Sequence, residues 1–423
     1  MLDLRFIRAN PDVVRAAIRD KGEKADLDRL LELDAELRGL LVAADDLKRE
    51  RNEASERVAA LKREGGDASE IVERMRGVSA RIKEHDERIA AAREQVRALE
   101  LTIPNVPHAS VPVGATEDEN VTVRSWGDPH PLAAKPVPHW EIGEALGILD
   151  FRSASKIAGS GFVTFVGVGA LLERALIRFM LDVHTTEHGY TEISPPFVAN
   201  RDSMVGTGQL PKLESDMYRC EGDELFLIPT AEVPLTNIHR DEILPGERLP
   251  VRYTAYTPCF RREAGSYGKD TRGLVRVHQF DKVEMVKLVE PETSYDELES
   301  LTACAESILQ RLDLPYRVKA LCTGDLSFSA AKCYDLDVWA PGCGRWLEVS
   351  SCSNFEDFQA RRAGIQYRPA GGGKARFVHT LNGSGVALPR TVIAVIENYQ
   401  TDRGTIVVPD ALRPYVSGLS EIA

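Results

Sequence analysis

Between Leu30 and Leu61 the apolar positions fall at spacings that alternate between three and four. Leu30, Leu33, Leu37, Leu40, Ala44, Leu47, Ala54, Val58 and Leu61 form this seam, with Arg51 interrupting it. Such an alternation draws one narrow stripe along a helix, and a narrow stripe is best buried against a second helix in a coiled coil. Gly65-Gly66 breaks the pattern. Ile71, Met75, Val78, Ile82, Ile89, Ala92, Val96 and Leu99 then resume it around His85. Two seams joined by a glycine turn predict a long antiparallel helical hairpin. At 1.5 Å per residue an arm of about 35 residues runs about 50 Å, too long for the interior of a compact domain, so it is expected to project into solvent. Arg51 and His85 read as register-setting or snorkelling groups rather than ligands.

The pattern differs on either side. Asn10-Pro11 predicts a helix start, with Asn10 as N-cap and Gly22 ending the short amphipathic run that follows. Residues 103–114, IPNVPHASVPVG, are proline-dense and aperiodic, the mark of a linker. The expected division is therefore a helical domain at 1–102, a linker at 103–114 and a larger domain at 115–423. In that larger domain Leu171, Leu172, Ala175, Leu176, Phe179, Met180 and Val183 recur at helical spacing. A strand edge is expected at Pro195-Pro196, and if 225–233 is a further strand, Thr230 and Glu232, two apart, share one of its faces.

The densest chemistry lies between Thr257 and Glu284, TPCFRREAGSYGKDTRGLVRVHQFDKVE, where two strand-like runs flank a loop rich in Gly, Lys and Arg. Strand alternation puts Arg261 and Glu263 on one face of the first run. On the second it groups Arg276, Phe280 and Glu284, with Val277, Val283 and Met285 turned to a core. Guanidiniums, a ring and carboxylates on one surface suit a nucleoside triphosphate and a zwitterion, although a salt-bridged solvated face has the same composition.

Composition narrows the setting. The 423 residues carry a formal charge of −12, which argues against non-specific coating of nucleic acid, so any RNA contact must use local basic surface. Lys48, Arg49, Arg51, Arg57, Lys62 and Arg63 on the first arm, with Arg74, Arg76 and Arg81 on the second, are candidates. Seven cysteines without a CxxC pair fit a reduced compartment better than a disulfide framework, and zinc at Cys333, Cys343 and Cys352 lacks ligand spacing. The charged N-terminus is no signal peptide, and the uncharged run from Ile157 to Leu172 is too short to span a bilayer. A cytoplasmic protein without membrane contact is expected.

FRREAG followed by RGLVRVHQFDKVE resembles the second signature motif of class II aminoacyl-tRNA synthetases, in the form found in seryl-tRNA synthetases. The helix and proline-ended strand at 171–198 are similar to the first motif, and HTLNGSGVALPRTVIAVIENYQ to the third. The resemblance implies an α+β fold, a class II antiparallel sheet flanked by helices and preceded by the hairpin. It also implies a homodimer.

The activity implied is serine activation by ATP and transfer to tRNA(Ser), and to tRNA(Sec) where the host uses one, with the hairpin reaching the tRNA's variable arm. A non-catalytic tRNA- or partner-binding paralogue is the alternative, though it is expected to lack a phosphate arginine or metal ligand.

The resemblance also implies roles. Arg261 and Arg390 are the catalytic arginines. ATP is expected to meet Arg261, Arg262, Glu263, Arg276, Val277, Phe280, Glu348, Val349, Ser350, Ser351 and Arg390. Serine is expected to meet Thr230, Ala231, Glu232, Arg261, Glu284 and Ser384, and Mg²⁺ to sit on Glu348 and Ser351. Pro389 departs from the common small residue but is tolerated in a first helical turn. Asp335 and Asp337 read as a polar strand face, and His278 and Lys282 share the active parity without an assigned role. The loop from Ala264 to Arg272 has a mobile composition.

Overall fold

The computed structural model describes residues 1–129, 135–264 and 272–423. They form two compact units, one of residues 2–19 and 23–104, the other of Met1, residues 20–22 and 105–423.

In the first unit the hairpin consists of α1 (Leu27–Arg63) and α2 (Ser69–Glu100). Asp26 opens α1 by accepting the Arg29 N–H at 2.9 Å, which satisfies one of the orphan donors of the first turn. The seam is buried from Leu30 to Leu47 on α1 and at Val78, Ile82, Ile89, Ala92 and Val96 on α2. Toward the turn, Ala54, Val58, Leu61, Ile71 and Met75 are only partly covered, because two helices alone hide little more than the stripe between them. Arg51 and His85 are likewise half-buried on the seam. Gly65 turns the chain with φ +75°, a left-handed conformation that favours glycine. The helix at Pro11–Asp20 begins where expected, and Asn10 stands at its cap position with its carbonyl accepting the Val14 N–H at 3.2 Å, but its side chain does not cap it. Its side-chain amide instead donates to Phe6 O at 3.1 Å and closes the preceding helix.

In the second unit residues 105–114 carry neither helix nor strand. An eight-stranded sheet follows, made of β1 (Val121–Trp126), β2 (Thr191–Glu192), β3 (Val251–Phe260), β4 (Gln279–Val289), β5 (Tyr316–Ala320), β6 (Lys332–Ala340), β7 (Arg345–Asn354) and β8 (His379–Ala387). The spatial order is β1-β5-β6-β7-β8-β4-β3-β2. All neighbours are antiparallel except β2 with β3 at the edge.

Helices α3 (His139–Ala145), α4 (Val168–Thr186), α5 (Glu232–Asn237), α6 (Ser294–Arg311), α7 (Phe358–Ala363) and α8 (Leu388–Asn398) complete the scaffold. Leu176 and Met180 of α4, Leu298 and Leu301 of α6, and Val392 and Ile393 of α8 pack with Val283, Met285, Leu336, Val338, Leu347 and Val349 of the sheet. This apolar side leaves the alternate positions of β4, β6, β7 and β8 for polar work. None of the described helices is long and apolar enough to cross a membrane.

Two expected strands end early. The first run stops at Phe260 and the second starts at Gln279, so Arg261, Glu263, Arg276 and Val277 lie outside the ladder. Glu263 has φ +52°, and no pleated strand accommodates that angle. The run at 225–233 is a strand only over Leu225–Leu227. Pro229 has no N–H to continue a ladder, and the Thr230 hydroxyl accepts the Glu232 N–H at 3.2 Å, so Glu232 opens α5 instead. Thr230 and Glu232 are therefore not paired by strand alternation. The loop expected to be mobile falls mostly at 265–271, outside the described residues.

Candidate active site

The centre of the polar face is Glu284 on β4, a carboxylate with no solvent exposure. Burying a charge is costly unless it is paired and hydrogen-bonded, and Glu284 is both. Lys282 Nζ lies 2.5 Å from its Oε2, Thr230 Oγ donates to the same oxygen at 3.3 Å, and Asn382 Nδ2 donates to Oε1 at 3.1 Å. Lys282 also reaches Thr230 Oγ at 3.0 Å. Ser384 is the cross-strand partner of Glu284, and its carbonyl accepts from Ser350 Oγ at 2.6 Å. Ala231 is fully buried beside Thr230.

Glu232 forms a second buried carboxyl near this group. Gln359 of α7 donates to it at 2.6 Å and is itself locked by Thr207 O at 3.0 Å and the Thr380 hydroxyl at 2.7 Å. Burial pushes the Glu232 carboxyl up to about 7; Gln359, Lys282 and Arg261 pull against that while Glu284 adds to it. An arriving ammonium would restore the charged form, since an opposite charge favours ionisation.

Beyond the end of β3 the Arg261 guanidinium lies over the Phe280 ring, 5.1 Å from its centroid, and its Nε donates to Pro229 O at 3.4 Å. Its backbone is clamped to His278 by an N–H to O contact of 2.9 Å. Asp216 braces the next turn, accepting from Arg262 N at its carbonyl and from Ala264 N at its carboxylate, both at 2.9 Å. Arg262 itself points to solvent. Arg276 is ion-paired with Glu263, while its buried Nε has no hydrogen-bond partner among the described residues. Val277 is buried, so the backbone is what it can offer a ligand.

The remaining group depends on a register fault. Glu348 and Ser351 are three apart, and strict alternation would send them to opposite faces of β7. Asp335 faces Ser351 and Asp337 faces Glu348, with Val349 unmatched between them. That β-bulge inserts one residue and puts both oxygen donors on the polar face. Val349 and Ser350 are buried on the apolar side. Arg390, from the first turn of α8, donates through NH1 to Glu348 O at 2.7 Å and through Nε to Val275 O at 3.3 Å, and lies 3.4 Å from the Glu348 carboxylate. Asp335 is fully enclosed next to them, and burial first, then Glu348, holds its carboxyl well above the usual range. Asp337 is instead paired to Arg317 and Lys319, each at 3.0 Å.

The polar face thus gathers Thr230, Glu232, Glu284 and Ser384 in one group, Arg261 with Phe280 in another, Arg276 with Glu263 in a third, and Arg390, Glu348 and Ser351 in a fourth. Sequence reading gave no role to Lys282, Asn382 or Gln359. Strand parity placed Lys282, two before Glu284, on the active face without a role, and could have found Asn382, two before Ser384. Nothing local marks Gln359. Cys333, Cys343 and Cys352 do not converge, and the one potential metal-ligand grouping among the described residues is His139, Cys343 and Glu397.

An antiparallel sheet with helices on one face, cations and carboxylates on the other, and an arginine entering from the helix after the last strand defines the catalytic core of a class II aminoacyl-tRNA synthetase. Residues 214–399 match the family model of the tRNA synthetase class II core domain (G, H, P, S and T). A Giardia lamblia prolyl-tRNA synthetase, 19% identical with a TM-score of 0.56 over 65% of this chain and 54% of its own, shares the fold. Residues 1–107 match the seryl-tRNA synthetase N-terminal domain. A serine–tRNA ligase from Caldanaerobacter subterraneus subsp. tengcongensis is 59% identical over 98% of both chains, and one from Geobacter sulfurreducens 55% over 100% of both. The seryl-tRNA synthetase of Pyrococcus horikoshii, solved with ATP, superposes with a TM-score of 0.94 at 38% identity, covering 100% of this chain and 99% of its own. This chain belongs to the seryl-tRNA synthetase family.

Proposed function

We propose that the polar face activates L-serine with ATP and that the same site then esterifies the 3′ end of tRNA(Ser). An oxygen of the serine carboxylate attacks the α-phosphorus, a phosphoanhydride bond breaks, and seryl-adenylate and pyrophosphate form. A hydroxyl of the terminal adenosine next attacks the seryl carbonyl and AMP leaves. The protein's contribution is position and charge. Arg261 spans the substrate carboxylate and the α-phosphate, where negative charge develops. Phe280 stacks on adenine. Arg276 contacts phosphate, Glu263 takes the adenine amino group, and Arg390 holds the terminal phosphate. Glu232 receives the ammonium.

The observation that carries the serine assignment is the buried Glu284, already held by Lys282, Thr230 and Asn382 beside Ser384. A carboxylate fixed in this way accepts a hydroxyl proton without rearrangement. A substrate lacking the hydroxyl leaves it short of a partner, which discriminates by roughly 10⁴ in sites of this kind.

Glu348 and Ser351 also fit Mg²⁺. They are hard oxygen donors brought to one face by the bulge, and the Glu348 side chain is 46% exposed, open to phosphate and water. When bound, Mg²⁺ neutralises triphosphate charge. Homodimerisation, a cytoplasmic setting, use of tRNA(Sec) and tRNA capture by the basic positions of α1 and α2 belong to the same reading, as does a division of labour between residues 1–102 and 115–423.

The test is amino-acid-dependent exchange of labelled pyrophosphate into ATP, with serine, threonine, alanine and glycine offered separately without tRNA. Exchange strongly favouring serine is expected. Its absence in folded, ATP-binding protein would refute catalysis. The arm is tested by replacing Arg57, Lys62 and Arg63 together with Glu, which should lower tRNA charging about tenfold while exchange is unchanged.

A further inference from the structure

His139 opens α3, was given no role above, and is completely enclosed. Its Nδ1 and its backbone N–H both meet Glu397 Oε1, at 2.8 and 3.0 Å. Cys343 approaches the same carboxylate through Sγ at 3.2 Å and through its N–H, to Oε2, at 2.9 Å. The carboxylate is saturated with donors, which argues against reading the three residues as a metal cradle. On the other side of the ring, Nε2 receives the Leu274 N–H at 2.9 Å. A nitrogen that accepts an N–H carries no proton, so the proton is on Nδ1 and points at Glu397.

Leu274 lies before β4 begins, where no ladder holds the backbone. The next carbonyl, Val275 O, receives Arg390 Nε at 3.3 Å, and the residue after it is Arg276, paired with Glu263. His278 N is tied to Gly161 O at 2.8 Å. Val275, Arg276 and Val277, which carry or brace two phosphate-facing arginines, thus lie between two backbone anchors, one of them an imidazole, while the Leu274 and Val275 side chains pack in the apolar core. Gly273 fits this approach tightly, since a Cβ there would come within 2.2 Å of His139 Nε2.

We propose that His139 is a positioning residue for ATP, setting Arg276 and Arg390 through its Nε2 acceptor to the Leu274 amide, with Glu397 fixing the tautomer. The proposal rests on the adenylation reading above. It separates ATP from serine, because among the described residues no hydrogen bond links His139 to the Glu284 group.

Two amides dissect the ring. H139Q places an acceptor near the Nε2 position and gives up the Nδ1 donor, whereas H139N keeps a donor near Nδ1 and gives up the acceptor. In serine-dependent pyrophosphate exchange, H139N should raise the KM for ATP about tenfold with the KM for serine within twofold, and H139Q should recover most of that loss. Equal effects of the two amides, or a parallel rise in both KM values, would overturn the assignment. If H139N does not fold, amide hydrogen exchange of residues 274–280 in E397Q gives the answer: faster exchange than in the parent supports the tether, unchanged exchange overturns it. Failure of the parent chain to exchange with serine would refute the adenylation reading instead, and the hydrogen-exchange comparison would still report on the tether.

Discussion

The hairpin and the polar face of the sheet follow opposite rules. Along α1 and α2 the seam at Leu30, Leu33, Leu37 and Leu40 is read off the spacing and found buried in that order, because one period and one partner determine everything. On the sheet, alternation finds Phe280, Lys282 and Glu284 but fails wherever the chain leaves the ladder, at Arg261, Glu263 and Arg276, or slips within it, at Val349. Periodic structure follows local pattern. The site is assembled from departures that longer-range contacts stabilise.

The contrast can be strained at four points. The largest effect belongs to the site. Glu284→Ala removes the carboxylate that Lys282, Thr230 and Asn382 surround, and should lower kcat/KM for serine in the exchange reaction by about 10³ while ATP binding changes little. Equal losses for both substrates would deny Glu284 its part in serine recognition.

Next comes pH. The raised pKa of Glu232, about 7 against an ordinary 4.5, means that the folded apo chain binds more protons than the unfolded one between those values. Its contribution is therefore present at low pH and lost as pH rises toward 7, with an upper bound of about 3 kcal/mol. Glu173, pushed up to about 8 by burial first and by Asp281, adds a slope of the same sign. Denaturant titrations from pH 5 to 7.5 should show apo stability falling. Glu232→Gln should flatten part of that fall and leave the Glu173 part; an unchanged slope would contradict the assignment.

In the hairpin the corresponding test is purely one of packing. Leu47, buried against Val78 and Ile82, should cost about 2.5 kcal/mol of hairpin stability when changed to Ala. Serine-dependent exchange should stay unchanged, and a comparable loss of exchange would mean that the hairpin and the site are energetically coupled. The smallest effect is expected at Lys48, whose pair with Asp86 is open to water on both sides at 3.1 Å. Lys48→Ala should shift stability by no more than about 0.5 kcal/mol, and less in high salt.

Legibility divides along the same line. The hairpin and the helix at 168–186 were legible because each rests on a repeat confined to one segment. Arg390, Glu348 and Ser351 were selected by resemblance alone, since alternation places Glu348 and Ser351 apart. Thr230 and Glu232 were selected as a pair for the wrong geometric reason, because a proline and a hydroxyl turn the chain into α5. Gln359 was invisible because its importance lies in a buried contact 127 residues away in sequence.

The unmatched residue on β7 also acts as a phase shift. Upstream of Val349 the polar face of that strand falls on even numbers, and downstream it falls on odd ones. Pulling this strand into regular alternation at constant length would leave every functional side chain in the protein and yet rotate Ser351 away from Glu348. Deleting the unmatched Val349, by contrast, would leave the two donors two apart and still on one face. In this strand the place where the pleat is broken matters as much as the residues that stand on either side of it.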